Sequence, residues 1–400
     1  MRPFDGRRVL LGVTGGIASY KAAWLARLLS QAGAEVDVVM TRAATEFITP
    51  LTFEALTGRA VYTDIFRQGG ALDHIRLAQQ AHAIVVAPAT ADFLARAAHG
   101  MAGDLLSAIL LATEAPVVLV PAMNDKMWAH PQTRQNVAHL RELGYAVVDP
   151  DDGPLAAGEG SGPGRMPEPE SILAHAGRAL EQKSLAGRTV LVTAGATREA
   201  ADPVRFLSNR SSGKMGVALA AAAWRRGATV RLVAGPIEVA PPVGPTVVRV
   251  ETADEMARAV ATALPSSDVL LMAAAPADYK VAEPASSKMK RTRDARALEL
   301  EPTSDILATT KKRRRNGAVI VGFALETENL EKGARAKLDS KGLDLVVANA
   351  AGEPDSGFSV DTNRAVLLGR DGTSVKLPLM QKTELADVIL DRVEGLLGER

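Results

Sequence analysis

Ten consecutive residues, Leu207-Ser208-Asn209-Arg210-Ser211-Ser212-Gly213-Lys214-Met215-Gly216, place an amide, two cationic heads, three hydroxyls and two glycines directly ahead of the alanine-rich apolar segment Val217 to Trp224. A loop entering a helix presents backbone N–H groups that the helix does not use, so such a run suits a phosphorylated ligand. The same serines would equally serve to cap the helix. Elsewhere, His74 follows Asp73 and precedes apolar residues, the composition of a structural imidazole or of a base near neutral pH. Asn124 closes an apolar run, where an amide either satisfies a turn or donates to a carboxylate. Asp278 follows the alanine wall Ala273-Ala274-Ala275, which would let a planar ring approach the backbone, and its carboxylate suits a divalent metal or a nucleotide group. Lys288 and Lys290 alternate as on a strand, and Lys337 and Lys341 share one face of a helical stretch running from Glu326 to Lys341. The run Lys311 to Arg315 reads as a solvated helix end and is given no function.

The elements that must position these groups alternate. Arg8 to Val13 is a short apolar strand, Thr14-Gly15-Gly16-Ile17-Ala18-Ser19 a glycine turn, and Tyr20 to Ala32 a helix that Gly33 can stop. Strands at Glu35 to Met40, Ala83 to Pro88 and Val117 to Val120 repeat the pattern, and it restarts at Arg188 to Thr197, with further strands at Thr229 to Gly235 and Asp268 to Met272. Such alternation predicts an α/β chain of two doubly wound, Rossmann-like domains, 1–183 and 184–400, with ligands at the carboxyl ends of the strands. The spacing of Gly12, Gly15 and Gly16 departs from the dinucleotide fingerprint, which disfavours a nicotinamide oxidoreductase and fits a mononucleotide phosphate better. Residues 153–166, rich in glycine and proline, form a long loop of the kind that is a flap or disordered.

Composition bounds the rest. The chain has 400 residues, 47% of them hydrophobic, with Lys plus Arg 47 against Asp plus Glu 46, so a broad basic face for nucleic acid is not expected. Aromatic content of 4% offers few stacking platforms. With no cysteine, disulfides, thiolate metal sites and a thiol nucleophile are excluded, in keeping with a reducing cytoplasm. Neither a signal peptide nor a membrane helix is expected.

Four motifs in the first half, Gly12-Val13-Thr14-Gly15-Gly16-Ile17-Ala18, Asp73-His74-Ile75, Pro121-Ala122-Met123-Asn124 and Gly162-Pro163-Gly164-Arg165-Met166, resemble the flavin-containing cysteine decarboxylases. The resemblance implies a flavodoxin-like domain that binds FMN through Gly15, Gly16, Ile17, Ala18, Thr41, Ala89 and Thr90. It also implies 4'-phosphopantothenoyl-L-cysteine as substrate, with His74 as catalytic base, Asn124 gripping the departing carboxylate, and Arg165 and Met166 against the substrate. One departure matters: where this family often carries a flap cysteine that protonates the enethiolate, the chain reads Leu155-Ala156-Ala157-Gly158. Glu159, Ser161 or water would have to substitute, or the module is an FMN-binding scaffold or regulator beside an active ligase.

In the second half, Asp202 to Phe206, Ser208 to Gly216, Ala277-Asp278-Tyr279, Lys288-Met289-Lys290, Gly322 to Thr327, Lys337 to Leu343 and Ala348-Asn349 resemble the nucleotide-binding phosphopantothenate-cysteine ligases. That resemblance implies CTP as co-substrate with Mg2+ at Asp278, catalytic Asn209 and Lys288, and a substrate site formed by Ser211, Ser212, Ala273, Ala274, Ala275, Asp278, Ser304, Asp305, Ile306, Leu307, Phe323, Lys337 and Lys341. Pro276 and Ser304 depart from this family's commoner valine and proline. Together the two halves imply coenzyme A biosynthesis by a homo-oligomer, with trimeric contacts in the first domain and dimeric contacts in the second.

Overall fold

Runs of β-branched residues bury on both faces only when helices cover both sides of a parallel sheet, and the strands of this chain have that character. In a computed structural model, Val9, Leu11 and Val13 pack with the helix Ser19–Gln31 on one side, while Leu10 packs with Phe93, Leu94 and Leu106 on the other. The structure describes all residues except 1, 67–68, 156–157, 159, 292–296, 327–329, 351–354, 356, 358 and 399–400. It divides into two units, Met1–Glu181 and Gln182–Arg400.

The first unit holds a parallel sheet in the order Val61–Tyr62, Glu35–Met40, Arg8–Val13, Ala83–Ala89, Val117–Pro121, Ala146–Val147. Strand order reverses between Arg8–Val13 and Ala83–Ala89, and such a switch point opens a crevice at the carboxyl edge. The glycine-rich stretch expected as a loop contains an antiparallel hairpin, Asp151–Pro154 with Ser161–Arg165. Its residues Ala157 and Glu159 lie outside the described residues.

The second unit repeats the plan in the order Thr246–Arg249, Thr229–Ala234, Thr189–Ala194, Val269–Met272, Val319–Glu326, Leu345–Ala350, all parallel, then adds the antiparallel strands Val366–Gly369 and Ser374–Lys376. Its switch point falls between Thr189–Ala194 and Val269–Met272. At the amino ends, Asp268 Oδ2 accepts from the N–H of Thr189 at 2.8 Å and Asp344 Oδ2 from that of Ile320 at 2.8 Å. Each carboxylate thus fastens the start of a neighbouring strand. The helix Lys214–Arg225 docks on Lys382–Gly398 around Arg226, a buried guanidinium paired with Asp387, Asp391 and Glu394. A Cβ at Gly216 would meet Ala194 Cβ at 2.5 Å and Thr193 O at 2.7 Å, so glycine is what lets this helix start against the strand end.

Two expectations fail here. Glu326 ends the strand Val319–Glu326, and the helix carrying Lys337 and Lys341 is Leu330–Lys341; the apolar run continues through Leu325 and holds the backbone in the sheet. Lys288 to Arg291 forms no strand: with long cations alternating and little apolar face, nothing drives pairing. Among the described residues no helix is long and apolar enough to cross a membrane.

Candidate active sites

In the first unit, a cavity of about 380 Å3 opens at the switch point. The turn Gly15–Ala18 forms one wall, and no side chain caps the helix that follows it. Ser19 Oγ instead donates to Gly16 O at 2.7 Å, tightening the turn. A Cβ at Gly16 would meet nothing nearer than 3.9 Å, so the turn faces open space. Thr14 donates its hydroxyl to Pro88 O at 2.8 Å and accepts from Thr90 N–H at 3.0 Å, tying the two strand ends of the crevice together. Thr90 lines the cavity and caps the helix Ala91–Ala98. Thr41 and Ala89 are buried, and neither is among the residues lining the cavity; Thr41 caps a short helix by accepting from Ala44 N–H.

Opposite the turn, Asn124 Oδ1 accepts from Lys126 N–H at 3.0 Å, so the side chain's remaining capacity is the donor NH2 group. Arg165 and Met166 complete that wall. Buried Lys21 donates to Met166 O at 2.8 Å and Glu168 Oε1 at 3.0 Å, fixing the base of the hairpin to the helix behind the turn. A shape with an uncapped helix end at one side and Ile17, Ala122, Met123, Met127 and Leu155 around it fits a planar ring system with an anionic tail. His74 is not among the lining residues. It sits half-buried at the start of the helix Asp73–Gln80 with Nδ1 lacking a partner among the described residues, and Asp73 Oδ1 takes the Arg76 guanidinium at 2.7 Å.

In the second unit two cavities, of about 330 Å3 and about 600 Å3, share Ala274, Pro276, Asp278, Phe323 and Lys337. The smaller is bounded by Asn209 and Ser211 to Gly216, by Ala273 and Ala275, and by residues from far along the chain, Asn363 and Lys382. The larger is bounded by Ser304, Asp305, Ile306, Leu307 and Lys341. Asn209 turns its amide NH2 onto the carbonyls of Ala275 (3.0 Å) and Pro276 (2.9 Å), so its oxygen is the group left for a ligand. Lys337 Nζ donates to Phe323 O at 2.6 Å, and Lys341 is ion-paired with Asp305. Burial works to raise the pKa of Asp305, but the Lys341 ammonium and the N–H of Ala308 outweigh it and hold the carboxyl below its usual value.

Asp278 is exposed on the shared wall, and among the described residues no group of three metal-binding side chains occurs. A cation here would therefore share Asp278 with ligand oxygens, the usual habit of Mg2+. Lys288 is exposed and lines neither cavity. The peptide beside it is held firmly: Met289 N–H donates to Asp202 Oδ2 at 3.1 Å and Met289 O accepts from Arg205 at 2.9 Å. Lys382 donates to Gly357 O (2.7 Å) and Val360 O (2.6 Å), and burial, with the nearby Lys214 charge, lowers its pKa to about 8. Lys382 and Asn363 escaped the sequence reading because no local pattern marks them, whereas Asp202 stood in a segment singled out by resemblance but was given no role of its own.

Comparison with known proteins gives the family. Residues 2–179 match the flavoprotein family, and residues 185–396 match the DNA/pantothenate metabolism flavoprotein C-terminal domain. The chain is 46% identical over 408 residues to the coenzyme A biosynthesis bifunctional protein CoaBC of Mycobacterium tuberculosis, covering 98% of this chain and 97% of that one. It is 42% identical over 405 residues to the Bacillus subtilis protein of the same name, covering 99% of each. The crystal structure of the C-terminal domain of a CoaBC is similar at 39% identity, covering 55% of this chain and 100% of that chain, with a TM-score of 0.47. The chain belongs to the family of bifunctional coenzyme A biosynthesis proteins.

Proposed function

We propose that the second unit joins cysteine to 4'-phosphopantothenate with cleavage of CTP, and that the first unit decarboxylates the product to 4'-phosphopantetheine. The observation that carries this reading is the pair of cavities sharing one wall: a nucleotide in the larger and an acid in the smaller would meet at Asp278, Phe323 and Lys337. A carboxylate oxygen of the acid attacks the α-phosphorus of CTP and pyrophosphate leaves; the cysteine amine then attacks the acyl carbon and CMP leaves with the bonding pair. Negative charge gathers on the phosphates, which is where Lys337, Lys341, the exposed head of Lys288 and Mg2+ shared with Asp278 would contribute. Asn209, its amide anchored on two carbonyls, presents a fixed oxygen beside the intermediate. Ser211 and Ser212 stand at the helix entrance, suited to an anionic group.

In the first unit FMN supplies a reversible two-electron acceptor for the cysteinyl group. The turn Gly15–Ala18 and Thr90 would hold its anionic end, Asn124 would donate its NH2 to the substrate carboxylate, and Arg165 lines the same cavity. His74 serves as base; since it does not line the Asn124 cavity, the role calls for a second copy of the unit. Exposed Ile17, Tyr20, Leu51, Phe66 and Leu72 give that unit an apolar surface for association, in keeping with a homo-oligomer. Incubating the purified protein with 4'-phosphopantothenate, cysteine, MgCl2 and either CTP or ATP tests the whole reading. Pyrophosphate, phosphopantothenoylcysteine and carbon dioxide are expected with CTP. Ligation without carbon dioxide would refute the decarboxylase assignment and identify Ala157 as the residue to change first.

A further inference from the structure

The basic run Lys311 to Arg315 divides in the structure. Lys311, Lys312 and Arg313 are exposed on a 3-10 turn, whereas Arg314 is half-buried. Arg315 reaches Asp268 at 2.6 Å, the carboxylate that fastens the start of the central strand. Arg314 has a different set of partners. Its Nη1 donates to Gly342 O at 2.7 Å, and its Nη2 donates to Leu307 O at 2.9 Å and Lys341 O at 2.9 Å. Two of these carbonyls belong to the last residue of the helix Leu330–Lys341 and the glycine after it, where φ is +58° and the helix has stopped. Carbonyls at a helix end have no partner within the helix and need donors from elsewhere. The third belongs to the short helix Ile306–Thr309, which Asp305 caps.

Both helices line the larger cavity: Ile306 and Leu307, with the capping Asp305, come from one, Lys337 and Lys341 from the other. On the cavity side they are joined by the Lys341–Asp305 ion pair. An arriving triphosphate would compete with Asp305 for Lys341, so that link is weakest when the ligand is present. Arg314 is not among the cavity-lining residues and joins the same two helices from outside. We propose that Arg314 is a positioning residue for the nucleotide cavity, holding the Asp305–Leu307 turn against the Lys337–Lys341 helix so that the gap between them survives the loss of the Asp305–Lys341 pair. The inference rests on the reading of this cavity as the nucleotide site. Lysine could not replace it fully, because a guanidinium presents several donors in a fixed plane and an ammonium cannot span three carbonyls set by two helices.

The test uses the full-length protein, with Arg314→Ala, Arg314→Lys and, as a control on the exposed part of the run, Lys312→Ala/Arg313→Ala. Dissociation constants for CTP and for ATP are measured by calorimetry in MgCl2, alongside steady-state ligation and carbon dioxide release from supplied phosphopantothenoylcysteine. Arg314→Ala is expected to raise both the Kd and the KM for CTP about tenfold, the order associated with losing one net hydrogen bond of this kind. Arg314→Lys should fall between it and wild type, while kcat, the KM for cysteine and the decarboxylation rate stay within about twofold. The control should match wild type. A variant that melts earlier but binds CTP with unchanged Kd would overturn the proposal, since a purely structural anchor predicts that result. Should Arg314→Ala fail to fold, unchanged Kd in Arg314→Lys overturns it equally. A wild-type protein that binds neither triphosphate would instead overturn the nucleotide reading, and the inference with it.

Discussion

Asp202 offers a substitution that removes one hydrogen bond, to Met289 N–H, together with the long ion pair to Arg205 Nη1 at 3.7 Å. Its Oδ1 accepts from the N–H groups of Val204 and Arg205, both at 2.8 Å, and its Oδ2 accepts from Met289 N–H at 3.1 Å. Burial alone would raise the pKa of this carboxyl, but the backbone donors and the Arg205 charge outweigh it and keep it ionised. In Asp202→Asn the carbonyl oxygen can keep Val204 and Arg205, which leaves the NH2 group facing Met289 N–H, donor against donor. The strap bearing Lys288 then keeps only the Arg205 to Met289 O contact at 2.9 Å. A hydrogen bond to a buried charged group is worth roughly one to two factors of ten in an equilibrium constant. Ligation kcat/KM should therefore fall about 10- to 100-fold, while carbon dioxide release from supplied phosphopantothenoylcysteine is unchanged. Pyrophosphate release gives the first rate. Because Asp202 acts through Lys288, Asp202→Asn added to Lys288→Ala should cost nothing further, the signature of coupled residues in a double-mutant cycle. A normal ligation rate in Asp202→Asn, or full additivity in the double variant, would refute the positioning argument.

Asn209→Asp would set a carboxylate against the Ala275 and Pro276 carbonyls at 3.0 and 2.9 Å, and ligation should drop about 100-fold; turnover at the normal rate would sink the assigned role. Gly216→Ala forces a Cβ to within 2.5 Å of Ala194 Cβ, and the second unit should lose about 1–3 kcal/mol in urea denaturation despite alanine's better helix propensity; an unchanged midpoint would show that the helix is free to retreat. Burial and the Arg178 charge lower the pKa of His175 to about 4. The unfolded chain then binds more protons than the folded one between pH 4 and the unperturbed value near 6.5, so stability should fall as pH drops through that window, by up to about 3 kcal/mol from this group. His175→Leu should flatten that part of the profile, and an undiminished slope would place the acid lability elsewhere.

The two sheets were legible because strands buried on both faces are runs of valine, isoleucine and leucine that need no partner information. The carboxyl-edge location of the sites followed from strand–helix alternation. What stayed hidden was decided by tertiary contacts. Nothing local distinguishes Arg314 from the cations on either side of it; only the helix ends that meet it do. Lys382 and Asn363 reach the smaller cavity from the last part of the chain, beyond any spacing rule. For Lys288 and Lys290, alternation alone suggested a strand, yet a strand also needs an apolar face or a neighbouring edge, and this strap is held by Asp202 and Arg205 instead. His74 and Asn124 are grouped by motif, yet among the described residues His74 is not one of those lining the cavity that Asn124 borders.

Asp268 and Asp344 hold the starts of Thr189–Ala194 and Val319–Glu326 by the amides of Thr189 and Ile320. Alignment of the second sheet is thus set at the rim remote from the cavities, by side chains that touch no ligand. The opposite rim is relieved of that duty. Side chains such as Asn209, Ser211 and Asp278 can then differ for another acid or another base without any strand slipping by a residue, which would turn its buried side chains to the wrong face. The sheet behaves as a chuck that grips one end of each strand and leaves the working end interchangeable.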